Sequence, residues 1–292
     1  MTAYLARNIL QLMRPHQWIK NIFILTGLVF GHAWSDSALV QAVLLAIVAF
    51  SLLSSAIYII NDLADIESDR AHPRKRLRPI AAGNIQPLTA GIVAAVLMLL
   101  ALGLGFMVSP EALALLLIYL VMNIGYSLGL KHVAILDVFL IAAGFMLRIL
   151  VGTLGVGIAP SQWLLLCGMM VTLFLGFAKR RAELAVAAEQ GSRTRKVLLH
   201  YDEALVDVLM AITGTATIIT YALYTVNPAT VQIHGTEHLV YTVPFVVYGM
   251  ARYVFRLHRH RKGEDPAREL VTDPHLIATV LAWAAAVFWL IR

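Results

Sequence analysis

Long apolar runs, broken by short polar clusters, set the pattern of this chain. Nine stretches, at about 18–34, 38–60, 87–108, 111–129, 133–155, 162–178, 205–226, 240–255 and 273–291, come close to or exceed the roughly 20 apolar residues that one membrane crossing needs. The pattern predicts an all-α, polytopic membrane protein: a single transmembrane helical domain over residues 1–292, with about nine helices in a bundle. The first run begins too late and lacks a small-residue cleavage site, so it reads as a span rather than a signal peptide. No internal repeat or low-complexity segment is obvious.

Composition agrees with this reading. Apolar residues make up 60% of the chain and charged residues 14%, with a mean hydropathy of +0.77. A soluble domain carries about a quarter charged residues. One cysteine, Cys167 in the sixth run, excludes an internal disulfide and a Cys-rich metal site. All but two of the 23 Lys and Arg residues, Arg148 and the C-terminal Arg292, fall in the N-terminal tail, at the near ends of runs one (Lys20) and eight (Arg252), and after runs two, four, six and eight. The opposite loops contain none. The positive-inside rule then places the N-terminus in the cytoplasm and demands an odd number of spans, which nine satisfies. The expected location is the inner (plasma) membrane, with a polar pocket facing the cytoplasm. The formal charge of +6 is a collar around span ends, and no aromatic-interleaved basic patch points to nucleic acid. A homo-oligomer is compatible with the pattern, which does not fix the number of copies.

The chemistry concentrates in one stretch. Asn61-Asp62-Leu63-Ala64-Asp65-Ile66-Glu67-Ser68-Asp69-Arg70 places four carboxylates and an asparagine in ten residues, directly after an apolar run. On a helix Asp62, Asp65 and Asp69 share one face. Three carboxylates on one stripe repel each other and call for a cation. Oxygen-only ligands favour a hard one, Mg²⁺ beside a diphosphate being the natural choice. Asn61, Asp62, Asp65 and Asp69 are the metal-ligand candidates. Arg70, Arg74, Lys75, Arg76 and Arg78 follow at once and suit phosphate. A solvated helix end is the bland alternative, but one turn earlier the same charges would lie in the membrane, at about 2.5–3.5 kcal/mol each.

Three further clusters lie on the same predicted face. The N-terminal approach reads Arg14-Pro15-His16-Gln17-Trp18-Ile19-Lys20-Asn21. The loop after run four contains Tyr126 and Lys131. Run six ends in Lys179-Arg180-Arg181-Ala182-Glu183. The functional loops are therefore expected at about 61–86, 126–132 and 179–204, gathered at the mouth of a bundle. Asp137 and Arg148 lie eleven residues apart, three helical turns, and so share one face of run five. Intramembrane charges are functional candidates by default, although Arg148 also suits a structural role. Arg252, Arg256, Arg259, Arg261 and Lys262 read as topology signals and headgroup anchors. Trp18 and Trp34 read as interfacial anchors, and His16, His72 and His132 lack metal-ligand spacing.

The block from Asn61 to Gly83 resembles the first acidic motif of the UbiA-type intramembrane prenyltransferase superfamily. R-P-H-Q-W-I-K-N, Y-S-L-G-L-K-H and G-F-A-K-R-R-A-E-L resemble its phosphoribosyltransferase branch, over residues 14 to about 200. The usual second Asp-rich motif is replaced here by Lys179-Arg180-Arg181, with Glu183 its one acid. The resemblance implies transfer of 5-phosphoribose from phosphoribosyl pyrophosphate to a polyprenyl (decaprenyl-like) phosphate, with release of pyrophosphate and dependence on Mg²⁺. On that reading Asp62, Asp65 and Asp69 hold the metal, with Asn61 as ligand or orienting group. Asp137 binds a ribose hydroxyl or stabilises the cationic centre. Lys20, Arg70, Lys75, Arg78, Tyr126, Lys131, Arg148, Lys179, Arg180 and Glu183 are the candidate substrate contacts. The nearest rival is an aromatic prenyltransferase of the same fold using polyprenyl diphosphate, against which the basic run at 179–181 argues. A transporter is remoter, because its charges belong near the bilayer midplane.

Overall fold

The computed structural model describes residues 2–73, 75–190, 196–260 and 272–291. Arg74, Arg261, Lys262 and residues 191–195 of the expected loop at 179–204 lie outside the described residues. Helices and their connections account for every described element, without strands. Among the described residues, seven helices are long and apolar enough to cross a membrane. The expected count of nine is not reached by that measure, for two local reasons. The first apolar run is not one helix: Pro15–Leu25 winds as a 3-10 segment and passes into a five-residue helix, α2 (Thr26–Phe30). The eighth run forms a regular helix over Val243–His260, but Arg252, Arg256 and Arg259 make it too polar to count.

Two compact units make up the chain, one of Met1–Ser127 with Leu147–Pro160 and one of Leu128–Met146 with Ser161–Arg292. The first unit is organised by α3 (Ser37–Ala64), whose start is capped by Asp36 accepting from the Ala38 and Leu39 amides. Its 28 residues give a rod of about 42 Å. That exceeds a hydrocarbon core of about 30 Å, and Asn61 and Asp62 lie in its last turn. Packed along it is α5 (Pro87–Val108), which turns Ala90, Ala94, Ala101 and Gly105 inward. Small residues at this spacing let two membrane helices approach closely. The helix α6 (Pro110–Leu128) begins where the Ser109 hydroxyl accepts from the Ala112 amide and donates to the Gly155 carbonyl. Gly27 of α2 and Gly152 lie back to back: a Cβ on Gly152 would overlap the Ile24 carbonyl, and one on Gly27 the Gly152 carbonyl.

In the second unit α8 (Gln162–Gln190) packs along α9 (Glu203–Val226), which is capped by Asp202. Phe174, Phe177, Leu198, Tyr201, Val206, Met210 and Tyr253 share one buried core. Within α9 the hydroxyls of Thr213, Thr217 and Thr220 donate to carbonyls one turn back, so an apolar span carries them without unpaired groups. Two further helices, Val243–His260 and Pro274–Ile291, pair with each other. Asp273 joins them by accepting from Arg252, Arg256 and the Leu276 amide, and the arginine bonds hold its carboxyl well below the usual carboxylate range. The helix α7 (Leu136–Val151) carries Asp137 at one end and Arg148 near the other.

Candidate functional site

The end of α3 and the short helix α4 (Ile66–Ala71) build an ion cluster in the first unit. Asp65 caps α3 with ψ near zero, yet the Asp65 amide still donates to Asn61 and the Asp69 amide to Asp65. The ladder therefore continues through the bend and keeps Asp62 and Asp69 on one side. Both carboxylates are buried, at 4% and 1% exposure. Arg78 Nη1 bridges them, at 3.0 Å from Asp62 Oδ1 and 2.6 Å from Asp69 Oδ2. Arg14 Nη2 adds a bond of 2.6 Å to Asp62 Oδ1, and Lys75 Nζ stands 3.8 Å from Asp69 Oδ1. That last oxygen is buried and accepts no hydrogen bond. Asp65 does not join the pair; it lines a neighbouring cleft with Leu63, Glu67, Ser68 and Arg70. The one-face spacing thus brings two of the three aspartates together. Asn61 stands beside Asp62, its Oδ1 accepting from the Ser127 hydroxyl at 2.6 Å.

Arg14 has no counterpart among the sequence candidates beyond its place in a basic motif. Its backbone is left-handed, φ 52 and ψ 58. Such a conformation costs a non-glycine residue about 1–3 kcal/mol, and a residue before proline is normally extended. Two contacts hold the turn: Ser55 donates to the Met13 carbonyl at 2.9 Å, and Trp18 donates to Ser55 at 3.0 Å. The guanidinium crosses the Tyr58 ring, 5.1 Å from its centroid, on its way to Asp62. No periodicity links two residues 48 positions apart, and nothing in the sequence announces the left-handed turn.

Arg148 is drawn into a separate buried cage in the same unit. Its Nε donates to Asn21 Oδ1 at 2.9 Å and its Nη2 to the Tyr119 hydroxyl at 3.2 Å. The guanidinium also sits 4.6 Å from the Phe50 ring centroid. Asn21 in turn donates to Ser51. Neutral and aromatic groups, Asn21, Tyr119 and Phe50, thus surround the charge.

The second unit holds the other acid cluster. Arg180 is fully buried, with Nε 3.4 Å from Asp137 Oδ2 and Nη1 bonded to Glu183. The Tyr201 hydroxyl donates to Asp137 Oδ1 at 2.8 Å and accepts from the Ile135 amide at 2.6 Å. Ile135, a β-branched residue at φ 69, is strained there. Burial pushes the Tyr201 phenol well above its ordinary range, and the Asp137 carboxylate adds to the shift. Arg181 pairs with Glu203 at 2.7 Å and Asp207 at 3.1 Å. Arg180 and Arg181 of the Lys179-Arg180-Arg181 run are therefore matched by local acids. Lys131 and Lys179 are half-buried in this unit; Lys20 and Tyr126 are half-buried in the first. Arg70 is exposed and donates to the Ala81 carbonyl.

A long helix ending in buried aspartates bridged by cations, in an all-helical membrane chain, defines a class. The chain belongs to the UbiA prenyltransferase family, whose profile matches residues 21–272, and it is a multi-pass membrane protein. Among individual relatives, it is 32% identical over 289 residues to decaprenyl-phosphate phosphoribosyltransferase of Mycobacterium tuberculosis, covering 98% of this chain and 94% of that one. The enzyme of the same name from Corynebacterium glutamicum is also 32% identical, over 96% and 85% of the two chains. The fold matches a UbiA homolog from Archaeoglobus fulgidus solved with DMAPP and Mg²⁺. The TM-score is 0.73 at 18% identity, over 97% of this chain and 99% of that one.

The acidic centre fits a hard divalent cation as a pair of carboxylates. Asp69 Oδ1 is a buried oxygen without a hydrogen-bond donor, and Asp62 stands across the same arginine. No three His, Cys, Asp or Glu side chains converge on a metal position among the described residues. Mg²⁺ commonly takes one or two carboxylates and completes its shell with water and substrate phosphates, so two are enough.

Proposed function

We propose that the chain is a polyprenyl-phosphate phosphoribosyltransferase, moving 5-phosphoribose from phosphoribosyl pyrophosphate to a polyprenyl phosphate. The C1–O bond to the diphosphate breaks, a bond from the lipid phosphate oxygen to C1 forms, and pyrophosphate leaves. The near-full-length likeness to the mycobacterial and corynebacterial phosphoribosyltransferases carries this reading. The geometry supports it: cations outnumber carboxylates around Asp62 and Asp69, which suits a ligand rich in phosphate.

On this reading Asp62 and Asp69, with Asn61 beside them, hold Mg²⁺ on the donor diphosphate. The bound metal stabilises the charge of the departing pyrophosphate as C1 becomes oxocarbenium-like. Arg78 and Lys75, already beside the carboxylates, would bind diphosphate oxygens. Asp65, which lines the neighbouring cleft, would orient the turn that carries the pair. No dedicated base is needed, since a lipid phosphate is already anionic at pH 7, its second pKa being about 6. We place this chemistry at the cytoplasmic face of the inner membrane, a placement that the distribution of Lys and Arg supports.

The test is a product assay on the purified full-length protein with Mg²⁺, offering phosphoribosyl pyrophosphate with decaprenyl phosphate, or a polyprenyl diphosphate with 4-hydroxybenzoate. A phosphoribosylated lipid in the first mixture alone, identified by mass spectrometry, is the expected result. Product in the second mixture alone would establish the aromatic prenyltransferase reading instead.

A further inference from the structure

The acidic centre holds more positive than negative charge. Two buried carboxylates, Asp62 and Asp69, face three cationic groups, Arg14, Lys75 and Arg78. A bare divalent cation would meet charge of its own sign there. It would also have to displace Arg78 from both carboxylates and Arg14 from Asp62. Removing a guanidinium from a buried carboxylate is favourable only if that guanidinium finds another anion. A diphosphate arriving with the metal is such an anion, and Arg14 and Arg78 are suited to take its oxygens in forked pairs. Neither arginine is sealed in: their side chains are 22% and 28% exposed, against 4% and 2% for the carboxylates they hold. The strained turn at Arg14, fixed by Ser55 and Trp18, keeps one of these cations aimed at Asp62.

We propose that Arg14 and Arg78 are resident counter-ions of this centre. They neutralise Asp62 and Asp69 in the ligand-free protein and pass to diphosphate oxygens when metal and donor arrive together. Metal and diphosphate then bind tightly only as a pair, and each raises the other's affinity by the same factor. Arg14 is thereby a positioning residue for the donor. The proposal rests on the phosphoribosyltransferase reading only in that a metal-borne diphosphate binds here.

Manganese binding to the full-length protein in lipid nanodiscs, followed by electron paramagnetic resonance, tests it. Mn²⁺ is titrated alone and with inorganic pyrophosphate, with protein-free pyrophosphate as control. For wild type, pyrophosphate should tighten Mn²⁺ binding by about tenfold or more, within the usual range of coupling between two ligands. In Arg14→Gln, Mn²⁺ alone should bind several-fold more tightly than to wild type, and the effect of pyrophosphate should shrink. Arg14→Lys keeps the charge and should stay near wild type. Arg78→Gln should change in the same direction as Arg14→Gln, which keeps the test open if one variant fails to fold. Equal Mn²⁺ affinity in wild type and both Gln variants, with the pyrophosphate effect intact, overturns the counter-ion proposal alone. Failure of Mn²⁺ to bind wild type even with pyrophosphate removes the metal reading, and the counter-ion role with it.

Discussion

The two acid clusters are assembled from similar parts and reach opposite states. In the first unit Asp62 and Asp69 are shared by Arg14, Arg78 and Lys75, whose side chains are 22%, 28% and 45% exposed. In the second, Arg180 sits between Asp137 and Glu183 at 0% exposure, with Tyr201 closing one side. In the first, three cations share two carboxylates; in the second, one buried guanidinium joins two acids. Exchange of partners needs solvent or ligand to take up the released charge, and the first cluster alone provides access. The second behaves as a fastener: a buried ion pair whose loss leaves an uncompensated charge.

The comparison can be broken at four points, taken from the largest expected effect to the smallest. Asp62→Asn and Asp69→Asn should each lower phosphoribosyl transfer by at least about a thousandfold, the scale of losing a main electrostatic stabiliser, while the protein remains folded in the membrane. Turnover near wild type in both variants would dismiss the first cluster as the reactive one. Arg180→Met should instead destabilise by about 3–5 kcal/mol, the typical result of removing one member of a buried pair. The double variant Arg180→Met/Asp137→Asn should recover part of that loss in an unfolding titration; no recovery would mean that the two do not act as a pair. Tyr201→Phe should cost about 1 kcal/mol, one net hydrogen bond.

The Tyr201 substitution also has a pH signature. The Tyr201 phenol is raised in the folded protein, so above the unfolded value of about 10 the native state binds the extra proton. Its contribution is fully present below pH 10 and is lost as pH rises through the folded value. Wild-type stability should therefore fall above pH 10 more steeply than that of Tyr201→Phe; parallel curves would refute the buried assignment. Arg70→Gln comes last, with stability changed by no more than about 0.5 kcal/mol and transfer within about twofold, because its side chain is exposed and touches a carbonyl. A large loss of transfer would bring Arg70 into the donor site beside Arg78.

Much of the first cluster was legible in the sequence. Spacing alone places Asp62 and Asp69 on one helical side, and the basic residues that follow deliver Lys75 and Arg78 to them. Asp65 follows the same rule but sits at the junction of α3 and α4, where a backbone at φ −100 and ψ 11 leaves the α repeat that spacing assumes. Arg14 was out of reach, since its role depends on a left-handed turn and a partner far along the chain. In the second unit the Lys179-Arg180-Arg181 run reads as a phosphate magnet, yet Arg180 and Arg181 meet acids from α7, α8 and α9. A charge run states how many cations there are, not which acids the fold brings to them. Hydropathy located the seven long apolar helices found among the described residues, but not the 3-10 winding of Pro15–Leu25, where the backbone departs from the α repeat that a length rule assumes.

The back-to-back glycines bear on how the short α2 keeps its depth. Five residues are far too few to span hydrocarbon or to anchor themselves by amphipathicity. With a carbonyl filling the place where each missing methyl group would stand, α2 cannot slide or roll without dragging the Leu147–Gly155 stretch along. Its position is inherited from a stretch made much later in the chain, so this part of the protein sets only after about half of the 292 residues have been synthesised.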